Sequence, residues 1–101
     1  MGKHRVVISA KAKLQIGQYV RFLANVNRNA ASDLKARFVS EIKSLENMPG
    51  RYPFFEEEYI PAHKYHKLYV SNWFLVLYQV KDSVVYVDYV LDCREDYRWL
   101  I

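Results

Sequence analysis

Between Trp73 and Leu91 the chain is rich in β-branched and aromatic residues, and Lys81, Asp82 and Ser83 are its one run of consecutive polar residues. Side chains of this kind pack well on a pleated surface, and three polar residues suffice to reverse the chain, so the stretch reads as a two-stranded antiparallel hairpin. Lys67 to Ser71 has the same character just upstream and adds a third strand to make a meander. A sheet this small cannot hide its own apolar faces, and the remainder of the chain must cover it.

The first half supplies that cover. His4 to Ser9 alternates as a short strand would, and Ser9 offers a helix cap. Ala12, Ile16, Tyr19, Val20 and Leu23 then follow helical spacing, with Lys11, Lys13, Gln15, Gln18 and Arg21 largely opposite, which predicts an amphipathic helix to about Val26. Asn27 to Asn29 interrupt the pattern. Ser32 and Asp33 offer the next cap before Leu34, Phe38, Ile42 and Leu45 resume the stripe, and Asn47, Pro49 and Gly50 end it. Pro53, the run Glu56 to Glu58, and Pro61 predict a loop. The expected order is β-α-α-β-β-β, an α+β fold in which a helical hairpin packs on one face of an antiparallel sheet and leaves the other face partly open. On the last strand, alternation assigns Val85, Val87, Tyr89 and Leu91 to the core side.

With 101 residues, 51% of them hydrophobic, one core is affordable and residues 1–101 form a single domain. The charge of +4 is unevenly spread: residues 1–51 hold ten basic and three acidic side chains, residues 52–101 five and eight. A basic half suits an acidic partner. Cys93 is the lone cysteine, which excludes an internal disulfide and favours a reducing compartment. No window approaches the length of a membrane span and no secretory signal core is present, so the expected location is the cytoplasm.

Candidates for chemistry are few. His63 and His66, three apart on an extended segment, point to opposite faces, so no metal site is expected, and no glycine loop is available to cradle phosphate. What remains is a set of basic and aromatic residues near strands: Lys64, Tyr65, His66 and Lys67, then Tyr78 and Gln79, then Arg94 and Tyr97. Such a set binds a phosphate backbone and stacks on bases, while its members taken singly also read as surface lysines and half-buried aromatics.

The helix exit "IKSLENMPGRYPFFEEE", the strand pair "KLYVSNWFLVLYQVKDSVVYVDYVL" and the closing "CREDYRWLI" resemble the RelE/ParE superfamily of small bacterial toxins, over essentially the whole chain. The markers are the Leu45 to Pro49 exit, the Arg51-Tyr52-Pro53 step, a basic residue at Lys67, Tyr78 closing the central strand, and Arg94 followed by Asp96. The resemblance implies the toxin of a type II toxin-antitoxin system, neutralised by an acidic, partly disordered antitoxin and acting without a cofactor. One branch of the superfamily cleaves messenger RNA on the ribosome, with the RNA 2′-hydroxyl as nucleophile; the other poisons DNA gyrase and is not enzymatic. The leading expectation is RNA cleavage, with Lys67, Arg94 and Tyr97 catalytic and Lys64, His66 and Tyr78 binding substrate. Gyrase inhibition, or a degenerate module that only binds its partner, are the alternatives. Two departures stand against cleavage: Gln79 replaces a frequent arginine, and Asp92, where a histidine is common, would set a negative charge beside the phosphate.

Overall fold

The computed structural model describes residues 3–58 and 60–93. The order is β1 (Arg5–Ile8), α1 (Ala10–Ala24), α2 (Arg28–Lys43), β2 (His66–Val70), β3 (Phe74–Lys81) and β4 (Val84–Asp92), with 3₁₀ turns at Ser44–Glu46 and Pro49–Arg51. The α+β architecture is the one the sequence pattern predicts.

Ser9 caps α1 as expected, its Oγ accepting from the Ala12 amide at 2.9 Å. The same hydroxyl donates to the Asp88 carbonyl at 2.9 Å, so the cap also ties the helix start to β4. The second helix begins earlier than Ser32 and Asp33 suggest. Asn27 adopts extended backbone and its side-chain oxygen accepts from the Ala30 amide at 3.0 Å, which starts α2 at Arg28 and leaves Ser32 and Asp33 on an exposed helical face. Only residues 25–27 separate the helices, and they pack as a hairpin.

The strands lie in the order β1-β4-β3-β2. The meander β2-β3-β4 is antiparallel, but β1 runs parallel to β4, from Arg5 opposite Val84 to Ile8 opposite Val87. The sheet is therefore mixed rather than wholly antiparallel. A tight turn forces antiparallel pairing; the long return through two helices and two strands carries no such constraint.

The register between β3 and β4 slips once: Leu77 opposes Tyr89, while Tyr78 opposes Val87. Asp88 is the extra residue of a β-bulge. Before the bulge Val85 and Val87 face the helices; after it Val90 does, and Tyr89 and Leu91 face away. The set Val85, Val87, Tyr89 and Leu91 is thus divided between two faces, because strict alternation lasts only while the ladder is regular.

β4 also outruns β1, and its amides beyond Ile8 have no strand beside them. Two α1 side chains take that place: Gln15 Oε1 accepts from the Val90 amide at 2.8 Å, and the Tyr19 hydroxyl accepts from the Asp92 amide at 3.1 Å. Gln15 is buried, so its polarity is spent on a backbone group that would otherwise be orphaned.

Two apolar clusters sandwich the sheet. Leu34, Phe38, Ile42 and Leu45 pack on Leu68, Val70, Phe74, Val76, Tyr78, Val85, Val87 and Val90 beneath the helices. Each such side chain contributes about 1.5–3 kcal/mol by leaving water. On the opposite face Phe55 and Ile60 from the loop cover Tyr65, Leu75, Leu77 and Leu91, with Tyr89 and Cys93 against them. The face expected to be open is partly closed by this second cluster.

Candidate functional site

Alternation along β2 sorts the expected residues. Leu68 and Val70 lie in the helix-side core, so Lys67 and Tyr69 project from the other face, and His66 projects with Leu68. Tyr65, just before the strand, belongs to the second cluster and shares the face of Lys67. Lys64 is exposed and holds its ammonium 5.3 Å from the centre of the Tyr65 ring. Lys64, Tyr65 and Lys67 thus gather at one corner of the face away from the helices.

His66 and Tyr78 are not with them. The His66 ring stacks on Tyr78 at 5.1 Å and on Phe54 at 4.2 Å, and His63 meets the same Phe54 edge-on at 4.9 Å. His66 Nδ1 lies 2.8 Å from the Tyr52 carbonyl; a carbonyl only accepts, so Nδ1 carries the proton. Tyr78 is 0% exposed and donates its hydroxyl to the Pro49 carbonyl. Burial pushes its phenol well above the ordinary value, against a smaller opposing pull from Arg51. Tyr78 therefore anchors the chain after α2 from within the core, and His66 braces the same joint. An even-numbered position on β3 faces the helices, and the unbroken apolar pattern around it is the signal that marks Tyr78 as core.

The Arg51-Tyr52-Pro53 step has the same structural logic. Met48 adopts left-handed backbone at φ 45°, and Arg51 reaches back to the carbonyls of Asn47 and Met48, the latter at 3.1 Å, and to Ser44 Oγ at 3.0 Å. Its guanidinium lies 4.6 Å from the centre of the Tyr52 ring. One cation satisfies the carbonyls left over where the helical segment ends.

On the face away from the helices, Asp88 is the residue that sequence reading missed. Its Oδ2 accepts from Gln79 Nε2 at 2.6 Å, and its carboxylate lies near enough to the Tyr65 phenol for its charge to act on it. Burial pushes the Tyr65 phenol up to about 12, and the neighbouring Asp88 charge adds to the effect. Tyr65 meets Tyr89 edge-on, with centroids 6.1 Å apart. Asp88 and Tyr89 line an open cleft of about 470 Å³ together with Ser9 and Lys11. Gln79, which stands where an arginine was expected, is the side chain that orients Asp88.

Asp92 is placed differently from what its sequence position suggested. It pairs with Phe74 and is buried on the helix side, lining a separate apolar groove of about 680 Å³ with Tyr19, Phe22 and Trp73. Its charge is turned away from Lys67. Glu56, Glu57 and Glu58 are exposed. Arg94 and Tyr97, expected to be catalytic, lie outside the described residues. Among the described residues, no helix is long and apolar enough to cross a membrane.

No family model matches the chain, and no curated protein does. Among solved structures, a chain of one titled "Chromosomal ParDE TA system from P. aeruginosa" superposes with a TM-score of 0.74 over 89% of this chain and 96% of that one, at 14% identity. The chain thus shares the fold of that chain, and at this identity the likeness is one of fold alone.

Proposed function

We propose that the chain is the toxin of a type II toxin-antitoxin pair and that it cleaves messenger RNA on the ribosome without a metal, using the sheet face away from the helices. The observation that carries the reading is the grouping of Lys64, Tyr65 and Lys67 on that face, with Asp92 buried on the opposite side. An ammonium beside an aromatic ring, with a second lysine on the same face, suits a phosphodiester and its flanking base, and cations fixed near a phosphate stabilise the charge that develops as it is attacked. The toxin assignment is supported by the fold shared with a chain from a ParDE system. Its antitoxin would be acidic and partly disordered, matching the basic first half of the chain.

The test is induced expression in a host lacking the partner, followed by purified protein in a reconstituted translation reaction. Growth arrest with cut message supports the reading; intact message removes the nuclease assignment. A second reading, inhibition of DNA gyrase, is favoured by the engagement of His66 and Tyr78 in internal packing, which removes two groups a nuclease was expected to use. Gyrase stalled on DNA with message intact identifies that branch, and normal growth with soluble protein identifies a module that only binds.

A further inference from the structure

The unpaired residue of the β-bulge carries a carboxylate, and alternation from Val85 and Val87 places it on the face away from the helices. Asp88 is held by Gln79 Nε2 at 2.6 Å, with the Tyr65 phenol near its charge, on the face that also carries Lys67. A carboxylate offers about four lone-pair positions, so the Gln79 donor orients it and leaves it able to accept a further proton. The cleft beside it is open to solvent. Nothing in the packing requires an acid at this position, since the bulge is already stitched by the Ser9 hydroxyl on the Asp88 backbone carbonyl.

We propose that Asp88 is the general base of the RNA cleavage described above, an assignment that rests on that reading. The carboxylate accepts the proton of the ribose 2′-hydroxyl. The 2′-oxygen forms a bond to phosphorus, the bond from phosphorus to the 5′-oxygen breaks, and the leaving oxygen takes a proton from the Lys67 ammonium. Solvent returns the proton from Asp88 to Lys67, leaving a 2′,3′-cyclic phosphate and a 5′-hydroxyl with no other reactant consumed. The charged and titratable groups around Asp88 are Lys11 from the start of α1, Tyr65 from the segment before β2 and Tyr89 from its own strand, with Gln79 the uncharged donor from β3 and Lys67 two strands away on the same face.

The experiment compares wild type with Asp88→Asn and Asp88→Glu on a translated message across a pH series, with thermal melts as the folding control. Wild type is expected to slow on the acid side of its profile. Asp88→Asn is expected to cut roughly a hundredfold more slowly with that acid limb lost, and Asp88→Glu to recover part of the rate. Product ends should carry the cyclic phosphate. Should Asp88→Asn cut at the wild-type rate with its acid limb intact, the assignment is overturned while the nuclease reading stands. Should the variants melt before assay, a wild-type profile flat toward acid overturns it equally. A wild type that leaves translated message whole removes the nuclease reading and this assignment together.

Discussion

The side-chain oxygen of Gln15 accepts the amide hydrogen of Val90 at 2.8 Å, across 75 residues of sequence. A glutamine on a helix thereby does what a neighbouring strand would do for β4. Replacing it with Leu keeps the volume and leaves the Val90 amide buried without a partner, so Gln15→Leu should destabilise the fold by about 1–3 kcal/mol. Urea unfolding of the variant measures this, and an unchanged midpoint would show that water satisfies the amide.

Ser9 serves both ends of its hydroxyl, as acceptor for Ala12 and as donor to Asp88. Ser9→Ala removes the cap and the stitch together and should cost about 1–2 kcal/mol. Ser9→Gly restores only the backbone freedom of a cap, and its melting temperature should stay below that of wild type.

Tyr78→Phe deletes the donor to the Pro49 carbonyl in a buried setting and should cost about 1 kcal/mol. Growth arrest by the variant, assayed well below its melting temperature, should match wild type. A folded but inactive Tyr78→Phe would return this residue to the substrate site.

Lys67→Ala should lower RNA cleavage roughly a hundredfold with little change in thermal stability, because the strand position tolerates a small side chain while the phosphate loses a fixed cation. Lys64→Ala, at an exposed position, should have the smaller effect of the two. Equal cleavage by both single variants and wild type would place the reaction elsewhere on the molecule.

Tyr65 couples stability to alkaline pH. Its phenol is raised from 10.0 to about 12 in the folded chain, so the folded state holds this proton more tightly than the unfolded state. The contribution is therefore complete below pH 10.0 and is lost as pH rises through about 12. Tyr78 is raised as well and acts in the same direction. Tyr65→Phe should flatten part of the decline in melting temperature over that window. Tyrosinate absorbance, followed alongside, should show at least two phenols that ionise only as the protein unfolds.

Strand and helix identities were legible because they depend on local pattern: the Trp73 to Leu91 series, the Lys81 to Ser83 reversal and the Ser9 cap each act over a few residues. The start of α2 was misjudged because Asn27 and Ser32 are both competent caps, and which one is used depends on burying Ala31 and Leu34 against neighbours distant in sequence. Among the candidate residues, the facing of Lys67 was legible from its place on a strand, whereas the surroundings of His66 were not, since the packing of Phe54 and Tyr78 around its ring comes from separate segments.

The amino-acid order alone determined that a three-stranded meander would form and that two amphipathic helices would cover it, because hydrophobic period and capping are short-range properties. Only the assembled fold decided that β1 runs beside β4 in the same direction, and that the slip at Asp88 divides the β4 side chains between two faces. The reason is that strand register is set by the partner strand, and a single unpaired residue reverses the facing of those that follow it. That reversal leaves Asp92 beneath the helices, while Asp88, the unpaired residue itself, stays on the far face with Gln79.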